Sequence, residues 1–401
     1  MSFKVALSGI NSASADLDVI SNNLANLSST GYKVNRAEFA SLVGVAGATA
    51  EGVVQGRGAE LAAVTRNFSQ GNLESTGNAL DVAIQGNGFL VMSDAGALSY
   101  SRNGALTVDK NGFVVNSAGH RAQAFQPDLA GNITSNIGDL TISTADSAPQ
   151  ASTTLDTGIN LDASESIIAL PFDINDASTY HSTSSATIFD SLGVEHVYSS
   201  FFTKTGANTW NMHAALDGVV ASTNNVMTFS PAGALTAPAS GQFTIPLAPG
   251  GGAAAQNLVV DFSQSTQFGS PFSVNTLEQD GFATGRLIDV NIGSEGVVLA
   301  RYSNGQSIAQ GQITLANFAN LQGLSEGPFG SWLESPDSGV PLIGSPGTAS
   351  LGLLQAGALE SSNVDVTEML VNLITAQRNF QSNAKTIETT DSLTQTIMNI
   401  R

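Results

Sequence analysis

Two apolar stripes with helical spacing stand at opposite ends of this 401-residue chain, and the sequence between them has the pattern of β structure. The first stripe consists of Ile10, Ala13, Leu17, Ile20, Leu24 and Leu27. The second consists of Val366, Leu370, Leu373, Gln377, Phe380, Ala384 and Ile387, continued after a slip of one residue by Leu393, Ile397 and Ile400. Steps of three and four residues place each stripe on one face of a helix. The stripes can pair with each other or with copies in other chains. Pairing within the chain is compatible with a monomer, whereas pairing between chains implies a polymer.

Further apolar residues widen both stripes beyond the seam of a two-helix pair. They are Leu7, Ala15, Val19 and Ala25 near the N-terminus, and Val371, Ile374 and Ile400 near the C-terminus. A helix that is apolar on more than one side needs more than one neighbour, which favours packing between chains. A helix pair packed on a globular core within one chain is the alternative, and the pattern alone leaves both open.

The charge balance and the absence of cysteine exclude several classes of function. Lys and Arg number 14 against 33 Asp and Glu, so the net charge is 14 − 33 = −19, which argues against nucleic acid and against anionic membranes as partners. A chain without cysteine has no disulfides and no thiolate metal sites. No apolar run approaches the roughly 20 residues of a membrane-spanning helix, so we expect no membrane insertion. The N-terminus also lacks the layout of a cleaved signal peptide, which predicts a cytoplasmic chain or one exported without cleavage.

The β pattern is interrupted in a way that predicts nested domains. Alternation with a period of two begins at Gly71, and the same turn-rich pattern resumes around Gly281. We predict a mainly β fold with paired terminal α-helices, built from two β domains and a coiled-coil-like helical core domain. The predicted segments are 1–30 and 364–401 for the helical core domain, 31–70 and 355–363 for a connector, 71–144 and 281–354 for an inner β domain, and 145–280 for an inserted outer β domain.

Local signals predict the ends of the helices and several turns. The first helix is predicted over 3–28 with Gly31 as its stop, and the closing helix over 364–400 with Asn363 or Asp365 as its N-cap. Residues 86–88 (GNG) predict a turn in a β-hairpin, and residues 106–115 predict a second hairpin.

Candidate catalytic groups are few. The four histidines (His120, His181, His196 and His213) have no metal-binding spacing, and we expect no metal, no cofactor and no enzymatic activity. Asp173 with Asp176, or Glu278 with Asp280, could flank a glycosidic bond in a polysaccharide hydrolase on a β scaffold. Solvated carboxylates in turns are the other interpretation of these pairs.

Several longer motifs resemble the signatures of bacterial flagellar rod and hook proteins. They are residues 22–26 (NNLAN), 30–33 (TGYK), 80–89 (LDVAIQGNGF), 101–109 (SRNGALTVD), 357–365 (GALESSNVD) and 376–380 (AQRNF). The segments at 189–193, 208–210, 280–287, 302–306 and 315–318 are similar to the inserted domain and the returning segment of the hook branch, whereas rod proteins of the family are shorter.

The resemblance implies a subunit that polymerises into the curved hook, a flexible joint that transmits torque from rod to filament; a distal rod subunit is the alternative. It implies an extracellular location and a main partner that is the chain itself. The other implied partners are the distal rod protein, the hook cap, the hook-filament junction proteins and the flagellar export apparatus. The stripe residues are then expected to form the assembly contacts. The amides of Asn22, Asn23 and Asn26 either join them or serve as ordinary polar positions near a helix end.

Overall fold

The computed structural model describes residues 2–43, 56–128 and 131–399 of the chain. Residues 44–55 of the predicted connector, and Ile400 and Arg401 at the C-terminal end, lie outside these ranges. Two compact units are present: unit 1 comprises residues 1–144, 289–301 and 307–401, and unit 2 comprises residues 145–288 and 302–306. The four-part division drawn from the sequence is finer than this and stays a prediction.

Two long helices occupy the ends of the described chain, α1 (Ser2–Ala25) and α2 (Val366–Asn399). The Oδ1 atom of Asp365 accepts hydrogen bonds from the backbone N–H groups of Thr367 at 2.8 Å and Glu368 at 3.1 Å. Asp365 is therefore the N-cap of α2. The other predicted cap, Asn363, instead accepts a hydrogen bond from the Val34 N–H at 2.8 Å.

Helix α1 ends at Ala25, three residues earlier than predicted, and a turn follows it. Gly31 has the left-handed φ of +71° that its predicted role as a stop requires. It is also held close to another segment, because a Cβ atom on Gly31 would lie 2.6 Å from the carbonyl carbon of Arg102. The backbone conformation and the close approach both demand glycine here.

Two short antiparallel ladders pair segments from the two halves of the chain: β3 (Leu73–Ser75) with β29 (Ala358–Glu360), and β4 (Val82–Gln85) with β28 (Leu353–Ala356). A longer antiparallel ladder, β1 (Asn35–Val43) with β2 (Gly56–Arg66), lies between α1 and these strands in the sequence. The prediction that residues 86–88 close a hairpin is wrong, because β4 pairs with β28 while the following strand enters another sheet. Gly86 and Gly88, with φ of +111° and +122°, let the chain change sheets at this point.

A 13-stranded sheet forms the body of unit 1 in the described residues. Its strands are β5 (Phe89–Asp94), β6 (Ala97–Ser101), β7 (Thr107–Val108), β8 (Val114–Val115), β9 (Arg121–Pro127), β10 (Ile133–Asp139), β21 (Leu287–Ile292), β22 (Val297–Tyr302), β23 (Ser307–Ile313), β24 (Leu315–Asn317), β25 (Ser325–Glu326), β26 (Trp332–Leu333) and β27 (Leu342–Gly344). The predicted hairpin at 106–115 is confirmed by the pairing of β7 with β8. The core of the sheet consists of Phe89, Val91, Tyr100, Ala316, Phe318, Leu324 and Trp332.

Unit 2 contains two five-stranded sheets. One consists of β12 (Ser182–Phe189), β13 (Glu195–Gly206), β14 (Thr209–Leu216), β15 (Val219–Phe229) and β16 (Leu235–Ala237) in sequential antiparallel order. The other consists of β11 (Thr154–Asp162), β17 (Gln242–Leu247), β18 (Gln256–Asp261), β19 (Thr266–Phe268) and β20 (Ser273–Gln279), with β11 at its centre. One shared core, with Tyr198, Phe202, Trp210 and Phe262 as its largest members, joins the sheets.

Candidate assembly surface of the terminal helices

The two terminal helices pack against each other within the chain. Ile20 of α1 is buried in one cluster with Met369 and Ala376 of α2, and Leu373 packs against it. The two helices also approach each other closely at Gly9 of α1, where an added Cβ atom would lie 2.6 Å from the Oδ1 atom of Asn383 in α2. The predicted pairing of the terminal helices is therefore present inside one chain.

The N-terminal stripe faces inward along its whole length. Ala13 and Ile20 are buried, and the other four members, Ile10, Leu17, Leu24 and Leu27, are half-buried. On α1 the exposed large apolar residues are instead Phe3, Val5 and Leu7, close to the start of the helix. The N-terminal stripe mainly holds the chain's own fold together.

The C-terminal stripe is divided between an inner and an outer side of α2. Leu373, Ala384 and Ile387 are half-buried, whereas Val366, Leu370, Gln377, Phe380 and Leu393 are exposed. Ile397 belongs to α2, but the placement of its side chain lies outside the described part of the structure. The buried positions Met369 and Ala376 precede Leu370 and Gln377 by one residue, which corresponds to a rotation of about 100° around the helix.

The outer side of α2 presents an uncovered apolar surface. Leu370, Val371 and Ile374 are 44%, 58% and 50% exposed, and they lie within one turn of each other. We call these three residues the outer face of α2. Burying an aliphatic side chain of this size completely contributes about 1.5–3 kcal/mol. The outer face therefore favours contact with another surface.

The three asparagines near the end of α1 bond within their own chain. Asn23, only 1% exposed, donates to the backbone carbonyl of Asn35 at 2.7 Å and accepts from the Asn35 N–H at 2.9 Å. The Tyr32 hydroxyl lies 3.1 Å from the side-chain oxygens of both Asn22 and Asn23, which share its single proton. Asn26 donates to the backbone carbonyl of Asn22 at 2.9 Å. Asn23 joins the end of α1 to the start of β1, so its amide is engaged before any neighbour is present.

A buried ion cluster lies where the helical ends meet the β structure. Glu360 accepts from the Lys33 ammonium at 2.6 Å and from the Arg102 guanidinium at 3.2 Å, and all three side chains are at most 5% exposed. The Gly71 N–H donates to the same carboxylate at 2.8 Å. Burial lowers the pKa of Lys33, and the hydrogen bond to Glu360 offsets part of that effect. Burial likewise lowers the pKa of Arg102.

The sequence interpretation did not identify this cluster, although its three members lie inside motifs used for the resemblance. A usable signal was present. Only 12% of the residues are charged, and Arg102 and Glu360 each have no other charged residue within four positions in the sequence. A charged side chain that becomes buried is almost always paired with an opposite charge, so such residues are candidates for a buried cluster.

Two of the four predicted catalytic carboxylates, Asp176 and Asp280, serve as local hydrogen-bond acceptors. Asp176 accepts from the Ser178 hydroxyl at 2.7 Å and N–H at 2.9 Å, which lowers its pKa. Asp280 accepts from Thr153 and Thr154, and these bonds outweigh its partial burial, so its pKa is also lowered. A lowered pKa in Asp176 and Asp280 does not suit the role of general acid, for which a glycosidase uses a carboxyl group of raised pKa.

No helix in the described ranges is long and apolar enough to span a membrane. Within those ranges, no cluster of His, Asp and Glu side chains has the arrangement needed to hold a metal ion.

Comparison with known proteins gives a consistent result along the chain. Four family models match in sequence order: flagella basal body rod protein at 3–33, the flagellar hook protein FlgE/F/G D1 domain at 83–153, the flagellar basal body protein FlaE D2 domain at 160–282, and the flagellar basal body rod FlgEFG protein C-terminal region at 355–400.

Curated relatives match over the full length. The flagellar hook protein FlgE of Escherichia coli K12 is 36% identical over 414 residues, covering 100% of both chains. The hook protein of Salmonella typhimurium LT2 is also 36% identical with full coverage of both chains, and that of Treponema pallidum is 31% identical over 98% of each chain. The crystal structure of Helicobacter pylori flagellar hook protein FlgE2 superposes with a TM-score of 0.56 at 14% identity, over 72% of this chain and 100% of that one. At that identity the superposition supports the fold alone.

Proposed function

The chain belongs to the flagellar hook protein family and is a structural subunit of the flagellar hook, and we propose that its two terminal helices carry the assembly contacts. The observation that supports this most directly is the outer face of α2. Leu370, Val371 and Ile374 remain exposed after α1 has covered the opposite side of the same helix. In a homopolymer, the natural cover for this surface is a helix of a neighbouring copy.

The proposal assigns different tasks to the residues of the two stripes. Ala13, Ile20 and Leu373 hold α1 and α2 together within one subunit. Leu370, Phe380 and Leu393 face outward and contact neighbouring subunits. Asn22, Asn23 and Asn26 position the end of α1, and their contribution to assembly is then indirect.

Unit 2 has the properties of an outer, solvated part of the polymer. Residues 145–288 contain two basic and twelve acidic residues, so their net charge is 2 − 12 = −10. We propose that contacts between such acidic units are polar and hydrated, and that they exchange at little net cost when the polymer bends. Apolar helical contacts would meanwhile keep the subunits joined, as a joint that transmits torque while rotating requires.

The resemblance extends the proposal to location and partners. We infer an extracellular subunit, exported without a cleaved signal peptide through the flagellar export apparatus. It would contact the distal rod protein at one end of the hook, and the hook cap or the hook-filament junction proteins at the other. The nested division into a helical core, connector, inner and outer β domains belongs to the same proposal, as does the absence of catalysis.

Electron microscopy of the purified chain in polymerising salt tests the central claim. The wild-type chain should form curved tubes, and a chain lacking residues 1–30 or residues 364–401 should remain monomeric while its β units stay folded. The triple variant Leu370→Ser, Val371→Ser, Ile374→Ser should also fail to form tubes. A matched control replaces three exposed aliphatic residues of unit 2, Leu192, Val194 and Val219, with serine. Tubes formed by the α2 variant at the wild-type concentration would refute the proposal.

A further inference from the structure

The sequence contains four Asn-Gly pairs, whose asparagines are Asn87, Asn103, Asn111 and Asn304. In such a pair the backbone nitrogen of the glycine can attack the side-chain amide carbon of the asparagine. A C–N bond forms to the glycine nitrogen, the bond to the amide nitrogen breaks, and ammonia leaves with the proton of the glycine N–H. Water then opens the resulting cyclic imide at either carbonyl and gives aspartate or isoaspartate. Glycine permits the attack because it has no Cβ atom to hinder it.

Two of the four pairs are held in place by the fold. Asn304 donates through its amide nitrogen to the Ala283 carbonyl at 2.8 Å and accepts from the Gln306 N–H at 3.1 Å. The side-chain oxygen of Asn103 accepts from the N–H two residues further on at 3.0 Å. The backbone of Gly104, which would have to attack Asn103, is packed so closely that a Cβ atom there would overlap a neighbouring carbonyl. Neither pair has the freedom that ring closure requires.

The other two asparagines have free side chains but differ in the glycine that follows. Asn87 and Asn111 are both exposed, and their side chains make no hydrogen bond within the described ranges. The Gly112 N–H donates to the Asp109 carbonyl at 3.0 Å, and this bond must break before the nitrogen can attack. The Gly88 N–H has no acceptor in the part of the chain that the structure describes. The nucleophile is therefore available only beside Asn87.

The peptide bond between Asn87 and Gly88 is also polarised by its surroundings. The Asn87 carbonyl accepts a hydrogen bond from the Gly352 N–H at 2.7 Å. When the Gly88 N–H loses its proton, negative charge spreads onto this carbonyl oxygen, where the Gly352 donor stabilises it as a donor of an oxyanion hole does. Arg102 donates to the adjacent Gly86 carbonyl at 2.9 Å and belongs to the buried ion cluster of two basic side chains and one acidic side chain. This excess of positive charge favours the same developing anion.

We propose that Asn87 is a self-modification site of the folded chain, at which the Gly88 nitrogen converts the side-chain amide into a carboxylate with water as the co-reactant. Asn111 reacts more slowly, and Asn103 and Asn304 stay intact while the chain is folded. The reaction adds a negative charge where the chain passes from β4 to β5, and the isoaspartate product lengthens the backbone there by one carbon atom. An old molecule thereby differs chemically from a new one at this crossing.

The test incubates the full-length wild-type chain in mildly alkaline buffer and follows the four Asn-Gly peptides by mass spectrometry, with an isoaspartyl methyltransferase to detect isoaspartate. The Asn87 peptide should gain its carboxyl group about tenfold faster than the Asn111 peptide, because one hydrogen bond of ordinary strength changes a rate by about that factor. The peptides of Asn103 and Asn304 should stay unmodified over the same period. In urea only the shared Asn-Gly pair remains, so the four peptides should react at similar rates.

Asn87→Gln is the matched variant, because it keeps an exposed amide and adds a methylene group that disfavours ring closure. It should keep the wild-type Tm, lose the modification of its own peptide, and leave the rate of the Asn111 peptide unchanged. The inference is overturned if the Asn87 peptide of the folded chain reacts no faster than the other three, or if the four peptides keep the same ranking in urea. Modification of the Asn87→Gln peptide at the wild-type rate also overturns it, because the reacting amide would then be a different one.

Discussion

The Nζ atom of Lys33 lies 2.6 Å from the Oε1 atom of Glu360, and the two residues are 327 positions apart in the chain. Lys33 follows α1, and Glu360 ends the last strand before α2. The pair therefore ties both helical ends to the same place in unit 1, with Arg102 as a second cation on the same carboxylate. Through this buried ion cluster, a force applied to the helices is transmitted to the β structure of unit 1.

Replacing Glu360 with glutamine should strongly destabilise this region, because Lys33 and Arg102 would remain buried without an anion. Removing one partner of a buried ion pair costs about 3–5 kcal/mol. Hydrogen exchange of the β3 and β29 amides measures the change. Glu326→Gln is the control, because the side chain of Glu326 is 57% exposed in its ion pair with Arg66, and the effect there should be below about 1 kcal/mol. Equal effects of the two substitutions would contradict the role given to the cluster.

Gly31→Ala should destabilise unit 1 by more than the conformational cost alone. Gly77 provides the comparison, since its φ of +73° matches the +71° of Gly31 but no atom lies within 4 Å of its Cβ position. Gly77→Ala should cost about 1–2 kcal/mol from the left-handed backbone. Gly31→Ala should cost about 1–3 kcal/mol more, because its Cβ would collide with the Arg102 backbone. Urea unfolding gives the free energy of unfolding of both variants. Equal values for the two variants would show that the segments around Gly31 and Arg102 can move apart at little cost.

Asn23→Ala should weaken the junction between α1 and β1. The substitution leaves the N–H and carbonyl of Asn35 without their side-chain partner, at a cost of about 1–3 kcal/mol for each buried group that stays unpaired. Asn26→Ala removes only exposed local hydrogen bonds, to Asn22 and from Ser29, and should cost less than about 1 kcal/mol. Thermal unfolding of the monomer measures both. If Asn23→Ala instead leaves the monomer unchanged and blocks only tube formation, its amide acts between subunits.

Unit 2 should show a pH dependence set by His196. This histidine lies 2.6 Å from an Asp217 oxygen and 3.4 Å from an Asp190 oxygen, and the hydrogen bond to Asp217 is the main reason its pKa is raised. The pKa of Asp217 is lowered mainly by the same bond. The pKa of Asp190 is also lowered, because bonds from the backbone of Val194 and Leu192 outweigh its burial.

The histidine loses its contribution to folding stability as the pH rises, and the two aspartates lose theirs as the pH falls. The stabilisation from a raised histidine pKa is complete below the ordinary value of 6.5 and is lost as the pH rises through the raised value. The stabilisation from the aspartates is present above their ordinary value of 3.8 and is lost as the pH falls through the lowered values. The ion triad therefore contributes most near pH 5–6.

His196→Gln should lower the Tm of unit 2 near pH 5.5 and have a much smaller effect at pH 9, measured by calorimetry across the range. His120→Gln, in unit 1, should leave the pH profile of unit 2 unchanged. A His196→Gln effect that is the same at both pH values would show that the triad contributes packing rather than charge.

The sequence was sufficient for the fold class and the family, because those depend on periodicity and on long motifs. It placed the hairpin at 106–115 correctly. It could not choose which side of α2 meets α1. Leu373 belongs to two overlapping three-and-four patterns, one through Leu370 and Gln377 and one through Met369 and Ala376, and only tertiary packing decides between them. The same limit applies to residues 86–88, whose turn signal does not reveal that the partner of β4 is more than 260 residues away.

The ladders β3–β29 and β4–β28 also determine the order in which the chain can fold. Neither ladder can form until residues 73–85 and residues 353–360 are both available to pair, whichever of the two segments becomes available first. Most of unit 2 is one continuous segment, residues 145–288, and it can fold without waiting for either terminus. Closing the large intervening loop is slow relative to local pairing. The chain would therefore fold its acidic middle first and join its two ends last, so that the structure nearest the terminal helices is the last part of the molecule to be completed.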